Sequence, residues 1–327
     1  MTDANGRFRL AQLTDIHLGP LPAFGPSHWN LKRALGYANW QRKRKALHRP
    51  EALALIVQDL ATQAIDHVAV TGDLVNIGLP DEHEAATRWL AALGSPGSVT
   101  VIPGNHDIYT RLWRDHGVAR WMAYMTSDDY GEALRRRSGA ILDTPFPSVR
   151  RLGRVALIGL NSALPTPPGV AAGRVGRRQR LPLARILEFA GDDGLCRVVM
   201  VHHPPRQDSG QRLRGLADAA AVRAVISGAG AELVIHGHNH RDQEDVITSP
   251  GRATSPIPVI GAASASAAVA HHGEPLARYN IYDITPAGGS WRIDLTIRGL
   301  TAPGGRIDEI LRRTITPEDM QFPSMQH

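Results

Sequence analysis

In the stretch LVIHGHNH, Leu233 to His240, histidines stand at every second position: His236, His238 and His240. Imidazoles on alternate residues of a strand face one way, and they serve as metal ligands, proton carriers or buried hydrogen-bonding groups. Which role applies depends on what else the chain brings to the same place. Four further apolar runs stop at residues of the same kind: Asp15 and His17 in TDIH, Asp73 in TGD, Asn105, His106 and Asp107 in GNHD, and His202 and His203 in VHHPP. Each has an ordinary explanation when taken singly, since a strand ending in Gly-Asp is commonly a turn in which the Asp bonds its own backbone. Taken together, carboxylates mixed with imidazoles suit borderline divalent ions such as manganese, iron, zinc or cobalt, whereas an all-oxygen set suits magnesium or calcium. Buried without a metal, so many polar groups would be costly.

The elements that carry these residues follow from periodicity. RLAQLTDIH, DHVAVTGD, SVTVIPGNHD, RVALIGLNS, RVVMVHHPP and ELVIHGHNH each read as a short strand with its polar cluster at the carboxyl end. Helical patterns lie between them, at Pro50 to Ala64, Asp81 to Leu93, roughly Gly176 to Ala190, and Leu216 to Ser227. Pro182 blurs the start of the third. This alternation predicts an α/β protein with parallel strands, in which ligands collect beyond the carboxyl ends. After His240, IPVIGAAS, LARYNIYDIT and WRIDLTIRG predict antiparallel strands that complete a second sheet. With no internal repeat and no low-complexity linker, a single domain is expected over residues 1–300, followed by a loosely docked tail at 301–327.

Composition narrows the class. The chain has 327 residues, 43% of them hydrophobic and 21% charged, as in soluble globular proteins. The single cysteine, Cys196, excludes an internal disulfide framework and any multi-cysteine zinc site, and it opens the apolar run CRVVMV as a core residue. The N-terminal stretch lacks a basic segment leading into an apolar one, so a cytoplasmic location is expected. A formal net charge of +6 favours anionic partners without choosing among them.

The five blocks DIH (15–17), GD (72–73), GNHD (104–107), H (202) and GHNH (237–240) stand in the order found in the calcineurin-like metallophosphoesterases, which this chain resembles over roughly residues 8 to 298. The resemblance implies two mixed β-sheets packed face to face as a sandwich with helices outside, the arrangement that the strand reading suggests independently. It also implies two divalent ions, with manganese, iron or zinc as candidates. Asp15, His17 and His240 would hold one and Asn105, His202 and His238 the other, with Asp73 bridging. Hydroxide held between such ions is nucleophilic at neutral pH and would attack phosphorus in line, while the ions offset the developing charge. His106 would protonate the leaving oxygen, a step worth about 10²–10⁴ in rate, and Asp107 would orient that imidazole. His236, one step earlier in its strand, is expected to support rather than to ligate.

Within the family, PGNHD departs from the signature of the protein phosphatases. The order GDLVNIG, IPGNHD, LNSALP, GRVGRRQ, VHHPP, GHNH resembles the branch that hydrolyses cyclic nucleotides and glycerophosphodiesters, although LNS stands where an Asp-containing strand end is usual. A small phosphodiester is therefore the expected substrate, with His203 lining the pocket or bonding to backbone and Arg206 placed near the substrate. Nucleic acid is disfavoured: the basic runs RRR (135–137), RRLGR (150–154) and RVGRRQR (174–180) lack nearby aromatic residues and read as solvated surface.

The long insertion at about 25–49, FGPSHWNLKRALGYANWQRKRKALHRP, departs most from the branch. Trp29, Gly36, Trp40 and Leu47 are spaced to share one side of a helix, bordered by Lys32, Arg33, Arg42, Lys43, Arg44 and Lys45. Such a stripe either packs on the body of the enzyme with its charges solvated, or forms a lid or a contact with an anionic membrane surface, which would shift the substrate toward a phospholipid. A metal-binding scaffold without activity is the reading from another class, and the complete set of blocks speaks against it.

Overall fold

The computed structural model describes residues 6–110, 117–205, 213–248 and 256–316. Its first half runs β1 (Phe8–Leu13), α1 (Leu31–Asn39), α2 (Lys45–Leu47), α3 (Pro50–Ala61), β2 (His67–Val70), α4 (Pro80–Leu93), β3 (Val99–Val101), α5 (Met122–Met125), α6 (Asp129–Ser138), β4 (Ser148–Leu152) and β5 (Val155–Leu160). There follow α7 (Arg177–Asp192), β6 (Cys196–Val201), α8 (Ala219–Ala229), β7 (Leu233–His236), β8 (Gln243–Ile247), β9 (Ile257–Gly261), β10 (Arg278–Ala287), β11 (Ser290–Leu300) and β12 (Ile307–Thr314).

The strands form two six-stranded mixed sheets, ordered β12-β11-β10-β1-β2-β3 and β4-β5-β6-β7-β9-β8. Alternation along the strands decides which layer each side chain joins. Leu157, Val198, Met200, Leu233 and Ile235 face the core shared with β1 and β2. Ala156, Ile158, Val199, Val201 and Val234 point the other way, onto Leu183, Ile186 and Leu187 of α7 and Val222 and Ile226 of α8. Because both faces are covered, all six residues of β5 are buried, and each large aliphatic chain so buried contributes on the order of 1.5–3 kcal/mol. Ala52, Leu53 and Ile56 of α3 and Ala86 and Leu90 of α4 join the core of the first sheet. The result is the α/β/β/α sandwich expected from the blocks.

The helices begin where local chemistry starts them. Pro80 opens α4, and the buried Glu82 carboxylate accepts the backbone N–H groups of Asn76 at 2.7 Å and Leu79 at 2.9 Å, tying the chain that leads into the helix to its first turn. Asp218 does the same ahead of α7, accepting from Val175 at 3.0 Å and Gly176 at 2.8 Å. Pro182 sits inside α7 without ending it.

Four expectations change. IPVIGAAS, expected to be antiparallel, runs parallel to β7 as β9, while β10 and β11 pair antiparallel beside β1 in the first sheet. The supposed tail includes β12, which pairs with β11 from Ile307 to Thr314. Its polar, largely exposed sequence IDEILRRT carries no apolar alternation to announce an edge strand. Two arginines of the basic runs are structural: Arg135 and Arg150 are buried and donate to backbone carbonyls, Arg135 to Ile141 and Arg150 to Thr126, Ala123 and Val99.

The insertion, finally, is not one straight helix. Asn30 caps α1 by accepting the Arg33 N–H at 2.9 Å, so Trp29 lies outside it, and a π-helical turn at Trp40–Arg44 separates α1 from α2. The aromatic stripe becomes a cluster in which Trp29 packs on Phe24 and Tyr37 stacks on the buried Trp40.

Candidate metal centre

Every block of chemistry-bearing residues ends up beyond the carboxyl end of a strand: Asp15 and His17 after β1, Asp73 after β2, Asn105 after β3, His202 after β6, and His238 and His240 after β7. The chain turns sharply at each. Seven described non-glycine residues have positive φ, and five of them are Asp15, His17, Asp73, His238 and His240. Such left-handed backbone costs energy outside glycine and concentrates at functional sites. Two glycines let the loops touch. A Cβ on Gly104 would lie 2.5 Å from the Asp73 backbone nitrogen, and one on Gly237 would lie 2.0 Å from Thr14 Oγ1.

The side chains sort into two groups on either side of Asp73. In one, His240 Nε2 lies 3.2 Å from Asp15 Oδ1 and 3.3 Å from His17 Nε2. In the other, Asn105 Oδ1 lies 3.1 Å from His202 Nε2 and 2.9 Å from His238 Nδ1. Asp73 Oδ2 faces both, 4.0 Å from His17 Nε2 and 3.4 Å from His202 Nε2, while its Oδ1 accepts the His106 N–H at 2.7 Å. All seven expected ligands are brought together.

Three of the imidazoles are also oriented from behind. Nδ1 of His17 donates to the Val75 carbonyl at 3.1 Å, Nδ1 of His202 to the Thr71 carbonyl at 2.7 Å, and Nδ1 of His240 to Glu274 at 3.3 Å. That fixes the tautomer whose Nε2 lone pair points inward, as metal-bound histidines require. Asp15 Oδ2 accepts from Thr14 and from the His238 N–H, which leaves its buried Oδ1 facing His240 Nε2 at 3.2 Å. Buried carboxylate oxygens and inward-facing imidazole nitrogens set this close together are the donor set that suits divalent cations.

Without metal the site balances its own charge. Burial disfavours ionisation throughout, but the attraction between partners outweighs it. His202, beside Asp73, is raised to about 9, and His240, beside Asp15, also to about 9. The two carboxylates are correspondingly held down.

His106 sits with its ring centroid 5.0 Å from that of His17, stacked on Tyr109, and its Nδ1 donates to the Asn76 carbonyl. Burial and the neighbouring Arg44 push its pKa down to about 3. Asp107 does not orient it, contrary to expectation. Its carboxylate instead accepts the backbone N–H groups of Asp73, Leu74, Val75 and Gly104, at 2.8 to 3.1 Å, pinning the GD loop to the GNHD loop. Backbone donors from two loops converge there, so the carboxylate has no free face for the imidazole. Burial and the Asp73 charge push Asp107 up to about 7 against those donors.

His203 is likewise structural. It is fully buried, its Nδ1 lies 2.8 Å from Ser162 Oγ, and its Nε2 donates to the Ala171 carbonyl at 3.0 Å, which leaves no nitrogen for a substrate. His236 ends β7, buried, with Nδ1 3.0 Å from the Gly237 carbonyl oxygen and apart from both ligand groups. Arg206 lies outside the described residues.

The insertion supplies groups that its charge run concealed. His48 stands with His17 and His240 in a group able to share an ion, its Nδ1 2.9 Å from Ser266 Oγ. Arg44, in the π-helical turn, lies 3.2 Å from His106 Nδ1. Both occur in the run QRKRKALH, where an imidazole four residues after an arginine was the available signal. Lys32 donates to Thr166, and Arg33 to the carbonyls of Ile77 and His28, so the insertion is tied to the loops that follow β5 and β2.

Residues 8–242 match the family model described as calcineurin-like phosphoesterase. A search of curated proteins gave no match. Among solved structures, a dimetal phosphatase from Danio rerio is similar at 13% identity with a TM-score of 0.59, covering 93% of this chain and 98% of that one. The purple acid phosphatase PPD1 from yellow lupin (Lupinus luteus) seeds is similar at 12% identity with a TM-score of 0.53, covering 95% and 54%. At such identities the likeness concerns the fold.

Proposed function

Because the chain belongs to the calcineurin-like phosphoesterase family, we propose that it is a phosphoester hydrolase that works with two divalent cations and acts on a small phosphodiester of the cyclic-nucleotide or glycerophosphodiester kind. The observation that carries the reading is the meeting of two donor sets at Asp73, one with Asp15, His17 and His240 and one with Asn105, His202 and His238. Bound there, the cations supply a nucleophile from water at neutral pH and take up charge on the phosphoryl oxygens. Manganese, iron and zinc all suit the mixed nitrogen and oxygen donors.

The protein's own residues do the rest. The carbonyls of Val75 and Thr71 and the Glu274 carboxylate hold the imidazoles in register, and Asp107 holds the two loops. His106 is the candidate donor to the leaving oxygen. Its Nδ1 is committed to Asn76, so the transferable proton sits on Nε2. The diester preference rests on the block order, in which Gln179 of GRVGRRQ bonds both backbone groups of Asn161 at the end of β5.

Hydrolysis of bis(p-nitrophenyl) phosphate beside p-nitrophenyl phosphate, with added Mn²⁺ and with metal analysis, tests the reading. The expected result is metal-dependent turnover with the diester preferred, and a kcat lower by about 10²–10⁴ for His106→Ala. Turnover of no ester with any metal would leave the scaffold reading standing.

A second reading, action on phospholipid at an anionic surface, draws on the outer side of the insertion. There Trp29, Leu31 and Leu35 are exposed, as are Arg42, Lys43 and Lys45 a few residues further along the same segment. Among the described residues no helix is long and apolar enough to cross a membrane.

A further inference from the structure

We infer that Arg44 is an anion-binding residue of this site: its guanidinium, carried into the centre by the π-helical turn, takes the phosphoryl oxygens of the substrate alongside the metal positions. The inference rests on the phosphoester reading and deepens it. It starts from an imbalance. Arginine has N–H donors in a planar fork and no acceptor capacity. The polar contact of the Arg44 side chain is Nη1 to His106 Nδ1 at 3.2 Å. That nitrogen already donates its hydrogen to the Asn76 carbonyl and cannot also accept. Among the described residues no carboxylate pairs with Arg44, in contrast to Arg9 with Asp283 or Arg298 with Asp59, which are held bidentately. A partly buried cation is therefore held beside the centre with its donors unspent.

The backbone explains why it is there. Residues 40–44 form a π-helical turn, a bulge that recurs at functional sites, and it lies where the helix is anchored by the buried Trp40 and by the His48 N–H bonded to the Arg44 carbonyl at 2.8 Å. Tyr109 packs against Gly36, where a Cβ would lie 2.4 Å from its hydroxyl, and stacks on His106, so the helix and the GNHD loop are fitted to each other. Its head stands beside His106, Nη1 3.2 Å from Nδ1, and burial there disfavours its charge while the nearby Asp73 and Asp15 carboxylates favour it. Its neighbours Arg42, Lys43 and Lys45 are exposed. What suits a planar fork beside such a centre is a tetrahedral oxyanion with free oxygens, which is to say a phosphoryl group.

Inorganic phosphate binding to the manganese-loaded full-length protein, followed by calorimetry, tests this together with metal content and the KM for bis(p-nitrophenyl) phosphate. Arg44→Ala is expected to weaken phosphate and raise KM by about 10- to 100-fold, the range for hydrogen bonds to a charged group, with bound metal unchanged. Arg44→Lys should recover part of the loss, since it restores charge without the fork. Arg42→Ala should bind phosphate as the unaltered protein does. Unchanged phosphate binding in Arg44→Ala would overturn the inference, and so would loss of metal from the alanine and lysine variants alike, which would make Arg44 a support for the ligand loops. If phosphate binding depends on Arg44 but no ester is turned over, the inference stands and the phosphoester reading fails.

Discussion

Asp15, Asp73, Asn105, His202 and His238 hang from the ends of parallel strands whose side chains are buried in the sandwich, and most of them sit in left-handed backbone. Arg44 and His48 reach the same centre from a helix that leaves Leu31 and Leu35 in solvent and is held by side-chain bonds to loops. The first region is rigid because moving a ligand means moving a strand. The second is joined to the body through His106, Tyr109 and Thr166. On the function proposed above, the strand ends would hold the metal and the insertion would act chiefly on what is bound against it.

The largest expected effect falls on the rigid region. Asp73→Asn removes the charge shared by both donor sets and should lower bound metal by about one equivalent or more and activity by about 10³-fold or more, read by metal analysis and by ester turnover. Full metal occupancy in that variant would break the division.

A smaller effect concerns pH. His202 and His240 are raised to about 9 from an ordinary 6.5, so in the metal-free protein both carry protons at pH 7 that metal must displace. Apparent metal affinity should rise as pH goes from about 6.5 to 9, with proton release measurable by calorimetry in buffers of different ionisation enthalpy. The stability of the metal-free protein should move the other way. A raised histidine pKa contributes fully below the unfolded value and is lost as pH rises through about 9. Affinity that is flat across this window would show that the ligands are already deprotonated.

The smallest effect is expected on the outer side of the insertion. Leu31→Ser with Leu35→Ser should leave stability within about 0.5 kcal/mol and leave turnover of a soluble diester unchanged. The variant separates the two substrate readings, since weakened action on anionic phospholipid vesicles alone would favour the lipid one.

Legibility in the sequence followed the same line. Apolar runs ending in Asp, His and Asn marked the strands of the first region and the seven residues that meet beyond them, because burial on both faces and polarity at one end leave a pattern in the residues themselves. Asp107 was visible but misassigned: nothing in GNHD shows that its carboxylate faces backbone N–H groups instead of the adjacent imidazole. The edge strand β12 was missed because an edge can be polar on both faces. Arg44 was hidden among the cations of QRKRKALH, since a π-helical turn redirects a residue without changing composition. Arg150 was hidden likewise, its partners being backbone carbonyls that leave no trace in side-chain patterns.

The left-handed backbone at Asp15, His17, Asp73, His238 and His240 also limits how this centre can change. Asparagine and glycine enter that conformation readily, while valine, isoleucine and threonine do so only at a cost. Drift at these five positions is thus channelled: an asparagine can silence a ligand and leave its loop in place, whereas a β-branched residue disturbs the loop as well. Folded, inactive descendants of this chain should carry asparagine or glycine there far more often than valine.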